Sequence, residues 1–174
     1  VGPADQALIE ESTEMIVEQV ETLRVLVNEF SQFARMPRAK PTLGDINSVI
    51  RETVAVFRNA HPGIEFSFEL DEKLPEFLFD REQMGRVLLN IVDNAVASVE
   101  EAAKSSASPG KIALHSEYLA DLGIAACAVT DNGVGVSEVD KQRIFEPYYS
   151  RKAGGTGLGL AIAQAIVNDH NGVI

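Results

Sequence analysis

The stretch Gly154-Gly155-Thr156-Gly157-Leu158-Gly159-Leu160 places four glycines at the start of an apolar segment predicted to be helical from about Gly157 to Asp169. Glycines beside a helix N-terminus expose backbone N–H groups and the positive end of the helix dipole, which suits phosphate binding. The pattern is not a Walker A loop, because no Gly-Lys-Ser/Thr follows, and it is not a Rossmann fingerprint, since no strand precedes it. A mobile hinge is the alternative interpretation, and the two are compatible.

Two further unusual segments lie upstream. Ile144-Phe145-Glu146-Pro147-Tyr148-Tyr149 carries three aromatic residues in a stretch too irregular for a strand, which indicates either a packed loop or a contact surface. Asp131-Asn132-Gly133-Val134-Gly135 directly follows a predicted strand. A carboxylate at a strand's C-terminal end, followed by glycines that permit close approach, suits an exocyclic amino group such as adenine N6. A hairpin turn is the alternative, because Asp-Asn-Gly is a common turn sequence.

The fourth unusual feature is a pair of asparagines, Asn90 and Asn94, in the middle of a predicted helix. Asparagine is a poor residue for a helix interior, and a spacing of four places both side chains on one face. They are either solvated polar residues or carboxamides that project into a cleft, where their oxygens can ligate a hard cation such as Mg²⁺.

The remaining pattern mixes helices and strands without strict alternation, which favours an α+β two-layer α/β sandwich over a doubly wound parallel sheet. The predicted elements, in chain order, are a helix capped by Asp45, a strand at Ile64–Leu70, a shorter strand at Glu76–Phe79, a helix from Asp80 to about Ala103, paired strands at Lys111–Tyr118 and Ile124–Thr130, and a short helix at Ser137–Ile144.

A long helix is predicted before this sandwich, because residues 7–35 contain no proline or glycine. Its apolar residues recur at alternating steps of four and three, a bundle or coiled-coil seam formed by Ile16, Val20, Leu23, Val27, Phe30 and Ala34. A single helix cannot bury such a stripe, so a pairing helix is expected from elsewhere. Met36-Pro37 ends the helix, and a short stiff linker follows.

Composition excludes several classes of protein. The 174 residues allow one full domain plus an attached element, and 45% apolar with 24% charged residues is typical of a soluble globular chain. A net charge of -11 argues against nucleic acid and direct membrane contact as partners. The single cysteine, Cys127, rules out an internal disulfide and is predicted to pack as a small hydrophobe.

Taken in chain order, the four unusual segments resemble the N, G1, F and G2 boxes of sensor histidine kinases of two-component systems: Asn90 with Asn94, then Asp131-Gly133-Gly135, then Phe145-Glu146-Pro147, and last Gly155 to Leu160. The resemblance covers the chain from about Gly44 and implies the GHKL (Bergerat) ATP-binding fold. The preceding helix is similar to the second helix of the dimerisation and phosphotransfer hairpin. Its ending, Asn28 to Pro37, is similar to the same place in NtrY-type nitrogen-regulation sensor kinases.

The resemblance implies roles for individual residues. Asp131 would bind the adenine amino group, Asn94 would ligate Mg²⁺, and Gly133 and Gly135 would let base and lid approach. Phosphates would meet the segment Thr156, Gly157, Leu158 and Gly159, helped by Lys152. Asn90 occupies the position at which ATP-hydrolysing relatives carry a glutamate that activates water. An asparagine cannot act as a base, which favours transfer to a protein acceptor over hydrolysis.

Two departures from the family pattern stand out. Ala97 replaces a basic residue, so one phosphate contact is expected from Lys152 or Arg151 instead. The phosphoacceptor histidine is absent, because His61, His115 and His170 all lie in positions more typical of structural histidines.

The resulting prediction is an ATP- and Mg²⁺-binding catalytic domain at 44–174 lacking its C-terminal strand, a linker at 37–43, and an incomplete hairpin helix at 1–36. Its expected partners are a histidine outside this chain, a response-regulator receiver domain and a second protomer, and its expected location is cytoplasmic. The alternatives are a GHKL-type ATPase and a nucleotide-binding interaction module without turnover.

Overall fold

In the computed structural model, the described residues are 38–105, 108–152 and 155–174, together with 12, 13, 15–17, 19–21, 23, 24, 27 and 31. The elements are β1 (Thr42–Gly44), α1 (Ile46–Ala60), β2 (Ile64–Leu70), β3 (Phe77–Phe79), α2 (Arg81–Ala103), β4 (Gly110–Leu119), β5 (Ile124–Asp131), α3 (Glu138–Lys141) and α4 (Gly159–Asp169). Every strand and helix predicted from Asp45 onward is present, with ends shifted by a few residues.

The strands form a mixed arrangement that agrees with the α+β prediction. In the described part of the chain, β2, β4 and β5 make one sheet in that order, with β2 parallel to β4 and β4 antiparallel to β5. The two-stranded pair β1–β3 is antiparallel, with Thr42 opposite Phe79. The sequence does not predict β1, because three residues are too few for a periodic signal, and residues 42 and 43 fall in the predicted linker.

The main core lies between the three-stranded sheet and helices α1 and α2. The sequence predicts five apolar residues on one face of α1, and all five are buried: Ile46, Val49, Ile50, Val54 and Phe57. They pack with β2 and β4 side chains such as Phe66, Ile112 and Leu114. Asp45 caps α1 by accepting a hydrogen bond from the Asn47 backbone N–H at 2.8 Å. The helices therefore cover one face of the sheet.

Helix α2 is buried on two sides, which makes its apolar surface wider than the sequence pattern predicted. The sequence predicts a buried stripe formed by Met84, Leu88, Ile91, Ala95 and Val99. Of these, Leu88, Ala95 and Val99 face the sheet, together with the fully buried Val92, which lies outside the predicted stripe. Val87 faces a second cluster formed with α4 residues, namely Leu158, Ile162, Ala163 and Ile166. Helix α2 is thus fixed between the sheet and α4.

The N-terminal end of α2 is tied to the preceding chain and to the end of α4. The Asp80 carboxylate accepts from the Gln83 and Lys40 backbone N–H groups, and the Lys40 contact is the main reason that the pKa of Asp80 is lowered. His170 accepts from the Asp80 N–H through Nε2 at 3.0 Å, while Nδ1 lies 2.8 Å from the Ile166 carbonyl. His170 therefore has a structural role, as predicted.

Before residue 38, the described residues are helical and carry an exposed apolar stripe. Ile16, Val20, Leu23 and Val27 each remain 58–63% exposed. Such exposure agrees with the prediction that the stripe needs a partner helix. Phe30, Ala34 and the helix end at Met36-Pro37 lie outside the described residues.

Cys127 differs from its prediction. It lies on β5 and is exposed, so the expectation that it packs as a small hydrophobe is wrong. β5 pairs with β4. Most of the β5 residues remain solvent-accessible, which explains the difference.

Candidate functional site

Helix α2 presents its two mid-helix asparagines differently. Asn94 is exposed, and its Nδ2 donates to the Asn90 backbone carbonyl at 2.9 Å. Because the amide nitrogen faces the helix backbone, Oδ1 is turned away from it. Asn94 therefore offers a hard oxygen ligand of the kind that Mg²⁺ prefers.

Asn90 is half-buried beneath the start of α4. Its Nδ2 is enclosed without a hydrogen-bond partner, and its Oδ1 lies 3.1 Å from where a Cβ on Gly159 would be. A side chain at position 159 would therefore press on the carboxamide. Asn90 thus lies against the start of α4, and its catalytic role stays a prediction.

The end of β5 brings a carboxylate and a glycine turn to the same helix. The Asp131 side chain is exposed, and its Oδ1 accepts from the Gly133 N–H at 2.9 Å. Asn132 fastens this turn to β4 by accepting from the Lys111 N–H at 2.7 Å and donating to the Pro109 carbonyl at 3.0 Å. The chain then continues to α3, so the hairpin alternative is wrong. One oxygen of Asp131 remains to accept from a ligand.

Gly133 packs directly on α2. The Val134 N–H donates to the Ser98 carbonyl at 3.2 Å, and a Cβ on Gly133 would lie 2.2 Å from Ser98 Oγ and 2.4 Å from its carbonyl carbon. Gly135 has a φ of 69°, with no atom within 4 Å of its Cβ position. The first glycine is therefore required for close packing, and the second for its backbone conformation.

The Gly133→Ala variant should be less stable than the Gly135→Ala variant. Overpacking against the Ser98 backbone is expected to cost about 3 kcal/mol, whereas the left-handed conformation at position 135 costs an alanine about 1 kcal/mol. Urea unfolding of both variants measures the difference. Equal losses would contradict the close packing of Gly133 on α2.

The glycine segment before α4 is also held by a close backbone contact. The Tyr148 N–H donates to the Gly157 carbonyl at 3.0 Å, and a Cβ on Gly157, whose φ is 70°, would lie 2.5 Å from the Tyr148 carbonyl carbon. Leu158 begins α4 without a side-chain cap, while Thr156 Oγ1 accepts from the Leu158 N–H at 3.4 Å. Backbone N–H groups in the first turn of α4 are thus available to an anion. Gly154 lies outside the described residues.

The segment preceding these glycines carries two neighbouring cations with different partners. Lys152 Nζ pairs with Asp93 Oδ2 on α2 at 3.0 Å, whereas Arg151 Nη1 pairs with Asp140 Oδ2 on α3 at 2.5 Å. Of the aromatic residues in this segment, Phe145 and Tyr149 are half-buried and Tyr148 is 57% exposed. The predicted packed loop therefore describes Phe145 and Tyr149, whereas Tyr148 is exposed at the surface.

Asp140 collects three side-chain donors although it is only 7% exposed. They are the hydroxyls of Ser137 and Tyr149 and the Arg151 guanidinium. The Ser137 hydroxyl is the main cause that holds the pKa of Asp140 at about 2, and the other two donors act in the same direction. Asp140 and Asp93 were both missed by the sequence analysis. The position of Asp93, three residues after Asn90, was the signal available for it.

The Asp140 contacts predict a pH-dependent contribution to stability. Because the folded pKa lies below the value of about 3.9 for an unfolded aspartate, the contribution is present above that value and is lost as pH falls toward 2. The free energies of unfolding of the unaltered chain and Asp140→Asn should therefore differ more at pH 6 than at pH 3. Urea unfolding measures the gap. Asp121→Asn, on an exposed loop, serves as the control, and a gap independent of pH would contradict the prediction.

All of these segments meet on one face of α2. Gly159 packs against Asn90, and Gly133 packs against Ser98. Lys152 forms an ion pair with Asp93 between them. From Asn90 to Ser98 the helix rises about 12 Å. We call the surface of α2 from Asn90 to Ser98, with the segments that reach it, the α2 cleft.

Comparison with known proteins agrees with this geometry. Residues 79–174 match the family model described as histidine kinase-, DNA gyrase B-, and HSP90-like ATPase. The chain belongs to this family. The matched region includes α2, β5, α3 and α4, and therefore every element that forms the α2 cleft.

Several of its relatives are named as sensor histidine kinases, including AtoS of Escherichia coli, which is 30% identical over 95% of this chain and 26% of AtoS. The nitrogen regulation protein NtrY of Azorhizobium caulinodans is 34% identical over 171 residues, which is 98% of this chain and 22% of NtrY. The full-length histidine kinase ShkA in complex with AMPPNP superposes with a TM-score of 0.74 at 27% identity, covering 93% of this chain and 34% of ShkA. Histidine kinase ThkA in complex with the response regulator TrrA superposes with a TM-score of 0.69 at 26% identity, covering 94% and 45%.

The chain is therefore an ATP-binding catalytic domain of the sensor histidine kinase type, with the GHKL fold. Both the predicted family and the predicted fold are confirmed, including the similarity to NtrY. The chain spans less than a quarter of NtrY's length. In the part of the chain that the structure describes, no helix has the length and apolar character needed to cross a bilayer.

Proposed function

We propose that this domain binds ATP in the α2 cleft and transfers the γ-phosphoryl group to a histidine of a phosphotransfer hairpin. The observation that carries the proposal is the convergence of Gly133, Lys152 and Gly159 on α2 between Asn90 and Ser98. These three contacts bring the turn that carries the Asp131 carboxylate, the Lys152 cation and the N-terminus of α4 to one surface. Protein groups that could bind adenine, phosphate and a metal ion therefore lie on the same surface.

Each residue has a part that follows from its contacts. Asp131 Oδ1 is engaged by the Gly133 N–H, so Oδ2 accepts from the adenine amino group. The segment from Thr156 to Gly159 and the first N–H groups of α4 meet the phosphate oxygens, since the N-cap residue Leu158 has no side-chain cap hydrogen bond and the contact of its N–H with Thr156 Oγ1 is long, at 3.4 Å. Gly133 and Gly135 let the chain pass close to α2 and turn away from it.

Lys152 is the proposed cation for the terminal phosphates. Its ion pair with Asp93 is about half exposed on both sides, and such pairs contribute only about 0–1 kcal/mol. Exchange of the Asp93 carboxylate for a phosphate oxygen therefore costs little. The contact holds Nζ against α2 at the residue that precedes Asn94, the proposed Mg²⁺ ligand.

Asn94 Oδ1 would hold Mg²⁺, and the free oxygen of an exposed carboxamide fits a hard cation. Bound Mg²⁺ would neutralise the charge that develops on the transferring phosphoryl group. Asn90 cannot take a proton from water, and it is partly enclosed by the start of α4. Both features favour transfer to a protein acceptor over hydrolysis.

The proposed organisation comprises the second hairpin helix at 1–36, a linker at 37–43 and the catalytic domain at 44–174. The exposed stripe from Ile16 to Val27 supports pairing with a second helix in a homodimer. The ThkA neighbour was solved with a response regulator, which supports a receiver domain as partner. The predicted cytoplasmic location stays a prediction.

The test uses this chain, γ-labelled ATP with Mg²⁺, and a separately made, intact hairpin from an NtrY relative. Acid-labile label is expected on the hairpin and is expected to vanish when the acceptor histidine of the hairpin is replaced by alanine. Steady phosphate release without label would instead show an ATPase. Nucleotide binding with neither label nor release would show a binding module.

A further inference from the structure

The two adjacent cations, Arg151 and Lys152, are held by carboxylates of very different exposure. Asp140 is 7% exposed, and it receives the Tyr149 hydroxyl and the Ser137 hydroxyl as well as Arg151. The side chain of Asp93, the partner of Lys152, is 58% exposed, and the structure gives it that one side-chain contact. Release of Arg151 would leave a nearly buried carboxylate short of a donor, whereas release of Lys152 returns Asp93 to water.

We propose that Asp140 is a positioning residue for nucleotide binding: it holds Arg151 on α3, and thereby leaves Lys152 as the cation that meets the phosphates. The proposal rests on the proposed function, in which Lys152 is a phosphate ligand. It resolves the choice between Arg151 and Lys152 that the sequence left open.

The contacts around Asp140 explain how it acts at a distance from the nucleotide. Through Tyr149 and Arg151 it fixes two of the three residues that immediately precede Lys152. The Arg143 guanidinium lies over the Tyr149 ring, 4.2 Å from its centroid, and adds a second contact that holds the ring. Lys152 directly follows Arg151, and its Nζ lies 3.0 Å from Asp93 on α2, so the contact of Arg151 with α3 fixes the backbone from which Lys152 extends to α2.

The charge of Asp140 is matched to this role. Tyr149 and Arg151 both have raised pKa values because each donates to the Asp140 carboxylate. All three groups therefore keep the protonation states that the contact requires at neutral pH. An amide at position 140 would keep the size of the side chain but lose the charge that attracts Arg151.

The test measures ATP and ADP affinities, because a cation on the terminal phosphate changes their ratio while general loosening of the fold lowers both. Calorimetry would be applied to the unaltered chain and to Lys152→Gln, Asp140→Asn, Arg151→Gln and the double variant Asp140→Asn/Lys152→Gln. Lys152→Gln is expected to lower the preference for ATP about tenfold. Asp140→Asn and Arg151→Gln should each lower it about threefold, and Asp140→Asn should add nothing once Lys152 is gone.

Each other outcome identifies what fails. If Lys152→Gln lowers the preference but Asp140→Asn and Arg151→Gln do not, the positioning role is wrong and the proposed function stands. An effect of Arg151→Gln that persists without Lys152, shown with Arg151→Gln/Lys152→Gln, would make Arg151 a phosphate ligand and overturn the proposal. An unchanged preference in Lys152→Gln removes the phosphate role of Lys152 and the positioning role with it. Absence of nucleotide binding by the unaltered chain would overturn the proposed function itself.

Arg151→Gln tests the same contact if Asp140→Asn, which alters a buried side chain, fails to fold. The Arg151 side chain is 74% exposed, so its replacement breaks the same contact from the solvent side. Urea unfolding of every variant shows that the compared proteins are folded.

Discussion

Asp131→Asn should weaken ATP binding about 100-fold while weakening binding of inosine triphosphate far less. The asparagine oxygen can still accept from the Gly133 N–H, so the turn is retained. Its amide nitrogen then meets the adenine amino group, donor against donor, and a charged hydrogen bond worth about 2–3 kcal/mol is lost. Inosine carries an oxygen at that position and accepts from the amide.

Calorimetric titration with ATP and inosine triphosphate gives the two affinities. Asn132→Asp is the matched control, because it replaces an amide by a carboxylate at the neighbouring residue. It also breaks the donation from Asn132 to the Pro109 carbonyl. That variant should lose stability but keep the ATP preference of the unaltered chain. If Asp131→Asn lowers the affinities for ATP and inosine triphosphate equally, Asp131 does not recognise the base.

Asn94→Ala should lower phosphoryl transfer to the supplied hairpin about 100-fold, the usual scale for loss of one electrostatic contact to a transition state. Asn94 is exposed, and its contact with the rest of the protein is a donation to its own helix. Its removal should therefore leave the fold unchanged. Helical content by circular dichroism and transfer over a range of Mg²⁺ concentrations measure the two effects.

Asn59→Ala is the control for this variant, since it removes an asparagine from the exposed surface of α1. Asn94→Asp keeps an oxygen ligand and should transfer at a higher rate than Asn94→Ala. If Asn94→Ala transfers normally at low Mg²⁺, the metal is held elsewhere.

Much of the architecture could be predicted from the sequence because it rests on local pattern. The five apolar residues of α1 recur on one face and are all buried, and the alternation at Ile64–Leu70 does form a strand. The caps Asp45 and Asp80 are confirmed by their hydrogen bonds to backbone N–H groups. Capping and periodicity act within a few residues, so tertiary packing had little to change.

The errors have a different origin. β1 is three residues long and forms because it pairs with β3, a contact that no local pattern records. Val92 is fully buried because it packs in the core between α2 and the sheet. Cys127 is exposed although its neighbours in sequence are apolar. Each outcome depends on which element lies opposite.

The sequence by itself determined the types of residue that the site contains: two mid-helix asparagines, an aspartate before glycines, and glycines at a helix start. It could do so because these residues break local rules of helix and strand composition. Only the tertiary structure decided which of them meet. Asn94 faces solvent while Asn90 lies beneath Gly159, and Lys152 reaches α2 while Arg151 reaches α3. The physical reason is that burial and ion pairing are set by contacts between residues distant in sequence, about 60 positions apart for Lys152 and Asp93.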